Sequence, residues 1–162
     1  MAGAKKNSTV PTPEALVAHI PYRLGQLTNL VRRATTDSYV RQSAVSGREW
    51  RVLAMIGITG PVQASEIVGY TGMDKATVAR AVGRLVKLAM VEQSKDPEDG
   101  RVKLLQLTED GERLCGRIIP QMKDGGDMLA GALTPDERRM FLRCLDKLSR
   151  RALEMLEDSE GR

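Results

Sequence analysis

The chain has 162 residues, of which 41% are apolar, 28% charged and only 3% aromatic. That is enough chain to bury a core without disulfides or metals, and too few aromatic residues for a β-sandwich or an RNA-stacking module. No apolar run approaches the roughly 18 residues of a membrane span, and Met1 to Val10 lack the apolar stretch of a secretion signal. The expectation is a cytoplasmic, mostly α-helical protein.

Charge is uneven along the chain. The total is +4, but residues 1–107 hold 15 basic and 9 acidic side chains, a net of +6, and residues 108–162 hold 10 and 12, a net of −2. A basic front and a slightly acidic back suit a protein that turns one side to a polyanion; ordinary solubility charge is the alternative. Cys115 and Cys144 lack C-x-x-C spacing, and His19 is the single histidine. A zinc site is not expected, nor any other metal or cofactor. No nucleophile elbow, phosphate-binding glycine loop or isolated carboxylate pair marks an enzyme.

In chain order, residues 1–11 are small, polar and basic, and read as a disordered tail. Thr12-Pro13-Glu14 is a helix start. Pro21 interrupts, and a longer helix is predicted from Pro21 to Ala44 with Leu24, Leu27, Val31 and Ala34 as its apolar stripe. Ser46-Gly47-Arg48-Glu49 is a capping box. It opens a helix through Trp50, Leu53 and Ile56 that ends within Gly57–Gly60. Pro61-Val62 is a short extended piece. Gln63 to Tyr70 is a short helix with Ile67 inward, and Thr71-Gly72 is a turn. Asp74 caps a helix to about Ala89 whose inner face is Val78, Val82, Leu85 and Val86. Met90–Ser94 and Arg101–Leu107 are strands around a Lys95–Gly100 turn in which Gly100 can take positive φ. Adjacent Leu104 and Leu105 leave the strand register open. Thr108 begins a helix kinked at Pro120 and weakened again at Gly125-Gly126. Thr134-Pro135-Asp136-Glu137 begins the last helix, with Phe141, Leu145, Leu148, Ala152 and Met155 at near-heptad spacing.

Short helix, tight turn, basic helix and hairpin together make a winged helix-turn-helix. The Asp74–Ala89 helix carries Arg80, Gly83, Arg84 and Lys87 on its outer face, with Lys75 and Thr77 near its N-terminus. Residues at that end lie nearest the bases when a helix enters the major groove. Lys75, Thr77 and Arg80 are therefore the base-edge candidates, and Arg84 and Lys87 the phosphate candidates. In the acidic wing, Arg101 suits insertion into the minor groove. Asp99 can orient its guanidinium; a purely local Asp99–Arg101 salt bridge is the alternative.

Three stretches resemble the MarR family of bacterial transcription regulators: Glu49-Trp50-Arg51-Val52-Leu53, Met73-Asp74-Lys75-Ala76-Thr77-Val78-Ala79-Arg80, and Asp96-Pro97-Glu98-Asp99-Gly100-Arg101 followed by Leu105-Gln106-Leu107-Thr108-Glu109-Asp110-Gly111. The resemblance runs from about Pro21 to Leu156. Ala79 replaces a hydroxyl residue usual in the family, and Gly100 replaces an Arg found in many members. The resemblance implies a single domain over residues 12–162, with a winged lobe at about 46–107 and dimerisation helices at about 12–45 and 108–158. It implies a homodimer on an inverted-repeat operator of double-stranded DNA, acting as a repressor that a small aromatic compound releases. The apolar stripes of the terminal helices support a dimer independently.

The effector cleft is expected where the first long helix, the Trp50 helix and the fifth helix meet the lobe. His19, Tyr22, Arg23, Tyr39, Trp50 and Arg51 are its candidate residues. Aromatic faces beside guanidinium groups suit an aromatic acid or its CoA thioester; core packing of Tyr22 and Trp50 is the alternative. A thiol redox switch on the same scaffold is the competing function. Redox members of the family place a Cys near the start of the first long helix, and this chain has none there.

Overall fold

The structure, a computed structural model, describes residues 13–160. The expected tail over residues 1–11 and the Thr12 cap lie outside that range. The chain forms two compact units divided after Met122.

The first unit opens with α1 (Pro13–Ala18), α2 (Ile20–Ala34) and α3 (Thr36–Val40). The single helix expected from Pro21 to Ala44 is thus broken at Thr35. There φ is −119° and ψ −81°, outside the helical region. The Thr35 hydroxyl donates to the Val31 carbonyl at 2.7 Å, and the Thr35 N–H donates to the same oxygen at 2.9 Å. Two consecutive β-branched residues, Thr35 and Thr36, favour this local solution over a continued helix. An Arg32–Asp37 ion pair spans the break.

α4 (Gly47–Thr59) starts on the expected capping box. The Ser46 hydroxyl accepts from the Glu49 N–H, and the Glu49 carboxylate accepts from the Ser46 N–H at 2.6 Å. Trp50, Val52, Leu53, Ala54 and Ile56 enter the core. Gly57 stays helical; a side chain there would press on the Cys115 sulfur and Leu107, each 3.2 Å from an added Cβ. The stop falls at Gly60, whose φ of +79° ends the helix.

After α5 (Ala64–Thr71) and α6 (Lys75–Lys87), strands β1 (Val91–Lys95) and β2 (Lys103–Leu107) pair antiparallel. Val91 faces Leu107 and Lys95 faces Lys103, which fixes the register. Leu105 is buried because β2 is flanked twice at that position, by Gln93 of β1 and by an isolated bridge to Val62. β2 begins later than expected because Arg101 and Val102 belong to the turn. The Val102 N–H donates to the Asp99 carbonyl at 2.8 Å.

One junction joins α6, β1 and α7 (Glu109–Ala130). The Ala89 N–H donates to the Val86 carbonyl and the Met90 N–H to the Leu85 carbonyl, the paired bonds of a Schellman cap. The residue at its turning point is not glycine but Ala89, at φ +54°. The two carbonyls that follow are both taken by the start of α7. The Thr108 hydroxyl donates to Ala89 O at 2.6 Å and the Thr108 N–H to Met90 O at 3.2 Å. The same hydroxyl accepts from the Gly111 N–H. Gly111 packs so closely that a Cβ would overlap the Met90 carbonyl oxygen. The Leu-x-Leu-Thr-x-x-Gly spacing is therefore a docking device: strand, hydroxyl cap, and a glycine where backbone meets backbone.

α7 is one helix that contains Pro120, where the sequence predicts a kink, and Gly125-Gly126. The carbonyl that Pro120 leaves without an N–H belongs to Gly116, which is exposed to solvent. In the second unit α8 (Pro135–Glu160) starts on a capping box. The Glu137 carboxylate accepts from the Thr134 N–H at 2.8 Å. Met140, Phe141, Leu142, Leu148 and Met155 are exposed along it, and Leu145 is half-buried. In the first unit Val17, Ile20, Leu27 and Leu30 are likewise exposed.

Two substitutions probe the junction. Gly111→Ala must displace backbone, and should lower stability by about 1–3 kcal/mol. Ala89→Gly removes a left-handed alanine, and should raise it by about 1 kcal/mol. Denaturant unfolding reads both, and opposite signs are the expected outcome.

Candidate nucleic-acid interface

α5 and α6 form the helix-turn-helix. Gln63 caps α5 in a box with Glu66, Ile67 is its buried anchor, and Gly72, left-handed at φ +64°, ends it. The Arg51 guanidinium on α4 donates to the Thr71 carbonyl at 2.9 Å and so holds the turn from behind. α6 buries Val78, Ala81, Val82 and Leu85. The inner face expected at Val86 is a correction: Val86 is 38% exposed, and Ala81 takes that place. At 100° per residue, Val86 falls on the edge of a stripe centred between Leu85 and Val82.

The opposite face presents Arg80, Arg84 and Lys87, and Lys75 stands at the helix start; all four are exposed, with Thr77 half-buried. The first turn is tightly tied. Asp74 caps α6, its Oδ1 accepting the Thr77 N–H at 2.7 Å and its Oδ2 accepting the Thr77 hydroxyl at 2.7 Å. The Arg80 guanidinium donates to the Thr77 oxygen at 3.0 Å. The Thr77 hydroxyl, a base-edge candidate in the sequence, is thus occupied on both its donor and acceptor sides. These bonds from Thr77, its hydroxyl first and its amide next, hold the Asp74 carboxyl below its ordinary value.

The wing turn is built by carboxylates acting on backbone. Asp96 Oδ1 accepts the N–H groups of Glu98 and Asp99. Asp99 Oδ1 accepts the Arg101 N–H at 3.0 Å. This corrects the guanidinium pairing expected of Asp99: no ion pair among the described residues joins the two side chains, and the Arg101 side chain is exposed. Gly100 keeps a negative φ and has open space where a side chain would stand, so the turn does not require glycine there.

The expected effector residues do not gather. Trp50 is 2% exposed and forms the centre of the core, which corrects its assignment as a ligand contact. Arg51 is turned to α5. Tyr39 packs half-buried against the core. His19, Tyr22 and Arg23 are exposed at the start of α2, with Arg23 reaching the Val17 carbonyl. Tyr22 instead shares a depression of about 460 Å³ along α2 with Gln26, Asn29, Leu30 and Arg33. Those positions follow helical spacing from Tyr22, a signal present in the sequence but outweighed there by the Trp50-Arg51 motif. Cys115 is buried, with its thiol against the Leu53 carbonyl at 3.9 Å. Burial pushes that thiol up to about 11, the opposite of a reactive thiolate. Cys144 is exposed. No helix among the described residues is long and apolar enough to cross a membrane.

A three-helix lobe with a two-stranded wing and a basic recognition helix defines a winged helix-turn-helix. Residues 45–102 match the MarR family model, and that lobe belongs to the MarR family. The HTH-type transcriptional repressor NicR of Pseudomonas putida is 34% identical over 89 residues, which cover 55% of this chain and 56% of that repressor. The match thus spans little more than half the length of that relative. The structure of Bordetella bronchiseptica BpsR, described as showing regulation of its DNA binding by 6-hydroxynicotinic acid, is 27% identical and superposes with a TM-score of 0.63, covering 78% of this chain and 98% of that one. A Listeria monocytogenes structure containing a 26mer DNA has the same fold at 19% identity, with a TM-score of 0.78 over 89% of this chain and 96% of that one. These relatives are transcriptional regulators, not enzymes.

The contribution of the Asp74 cap depends on pH. Its folded value lies below 3.8, so its contribution to α6 is complete above the ordinary carboxylate range and is lost as pH falls through the depressed value. In an NMR acid titration the Thr77 amide shift should move with a midpoint below 3.8. A midpoint at or above that value would contradict the cap.

Proposed function

We propose that the protein is a DNA-binding transcriptional repressor that grips an inverted repeat as a homodimer and is released by a small aromatic acid or its CoA thioester. The carrying observation is α6: Arg80, Arg84 and Lys87 on its outer face and Lys75 at its start stand exposed in a lobe that matches the MarR family model, beside a wing that carries Arg101. Arg80, near the N-terminal end, reads bases; Arg84 and Lys87 contact phosphate; Arg101 enters the minor groove. The lobe matches a curated repressor, which supports the direction of regulation. The terminal helices, about 12–45 and 108–158, make the dimer, and their exposed leucines, methionines and Phe141 give it an apolar interface. The work is done in the cytoplasm, where the operator is.

The effector class rests on the BpsR relation and on the α2 depression. A Tyr22 ring face, the amides of Gln26 and Asn29, and the Arg33 guanidinium suit a planar ring bearing a carboxylate. Release requires that the acid bind the DNA-incompetent shape better than the DNA-bound one.

Binding to an inverted repeat with half-sites about one helical turn, roughly 10 bp, apart should weaken steeply with salt. Arg80→Ala should cost about 1–3 kcal/mol and relax base preference. Arg101→Ala should weaken A·T-flanked sites most. Electrophoretic mobility shifts measure all three, and salt-insensitive binding would defeat the reading.

For the effector, operator release is measured with 6-hydroxynicotinic acid, benzoates, hydroxycinnamates and their CoA thioesters. Release by at least one, weakened tenfold or more in Arg33→Ala, is expected. Release by none removes the ligand class; release unchanged in Arg33→Ala removes the site.

A further inference from the structure

The first turn of α6 contains a hydrogen-bond chain that ends on a base-reading side chain. Asp74 Oδ2 takes the Thr77 hydroxyl proton at 2.7 Å, and that leaves the Thr77 oxygen free to accept from Arg80 Nη2 at 3.0 Å. No ion pair within 4 Å links Asp74 directly to Arg80 among the described residues. The hydrogen-bonded route from the carboxylate to the guanidinium therefore runs through Thr77.

We propose that Asp74 and Thr77 are positioning residues that set operator specificity by fixing the Arg80 guanidinium before DNA arrives. An exposed arginine ordinarily loses side-chain freedom on binding, and that loss is subtracted from its affinity. It can also settle for the nearest phosphate instead of a base edge. A guanidinium already held by one N–H keeps its remaining donors directed outward from the N-terminal end of α6, where the bidentate contact to a guanine is made. The direction of the chain matters. Because the carboxylate can only accept, it forces the hydroxyl to donate to it, and so forces the hydroxyl oxygen to accept from Arg80. Thr77 is the one hydroxyl residue in α6. No second side chain on the helix can replace it.

This inference rests on the DNA-binding reading, so the test has one arm without DNA. The Asp74→Asn variant keeps a side chain that caps helices as well as aspartate does. Its amide nitrogen cannot accept the hydroxyl proton where Oδ2 stood. Thr77→Val keeps the shape and removes the hydroxyl. In the free protein, 15N-detected NMR should show slowed rotation of the Arg80 guanidinium in the parent and fast rotation in both variants. With DNA, each variant should lose about tenfold in the ratio of operator to random-sequence affinity, measured well below its own thermal midpoint. The double variant should lose no more than either single one, as for residues acting in one chain. An unslowed Arg80 in the parent, a specificity ratio unchanged in both variants, or additive losses would each overturn the proposal. A slowed Arg80 in a parent that binds no DNA would overturn the DNA-binding reading and the specificity role, and leave only the hydrogen-bond chain.

Discussion

The lobe depends on a contact between two pieces of backbone. The Met90 carbonyl meets Gly111 at a distance no side chain would allow, and Thr108 ties the Ala89 and Met90 carbonyls to the start of α7. This closure fixes where α6 ends and where β1 begins. It also fixes the root of the wing, because β2 runs directly into Thr108. The recognition helix and the wing are thus held from one point. An interior of Trp50, Leu53, Ile56, Ile67, Leu85 and Ile118 fills the space beneath them. The left-handed Ala89 shows that the closure is strong enough to hold a conformation alanine disfavours.

Much of this was legible in the sequence because it is written in short-range chemistry. Ser46 with Glu49, Asp74 at the head of α6, and Thr134 with Glu137 each announce a helix start within four residues, and each start is found there. Ile67 and Val78 were placed inward by periodicity alone. Features decided by competition or by distant partners were not legible. At the Thr35 break a hydroxyl shares one carbonyl with the last helical N–H, an arrangement that periodicity does not signal. The burial of Leu105 depends in part on a bridge to Val62, forty-three positions before it. Val86 was misplaced because it sits at the edge of a stripe, where periodicity decides nothing.

The candidate site divides along the same line. The exposed cations of α6 were found by spacing, since a basic face needs no partner to be recognised. The role of Asp99 was not, because a carboxylate two residues from an arginine has two groups to choose between. It takes the backbone N–H, which shapes the turn, and leaves the guanidinium to solvent. Trp50 carried the strongest motif and proved to be core, since a large aromatic ring beside Val52 and Leu53 is drawn to burial before any ligand can use it.

The wing bears on how such a protein travels. Its tip sets Asp96, Glu98 and Asp99 against Lys95, Arg101 and Lys103, so the turn as a whole carries no net charge. Most grip on arbitrary DNA comes from summed positive charge. A neutral tip adds little to that grip and leaves α6 to provide it. On the proposed docking, Arg101 gains only where a narrow groove deepens the potential enough to outweigh the acids beside it. Such a wing would lower residence on the bulk of a genome more than occupancy of a suitable site, shortening the search as well as sharpening the choice.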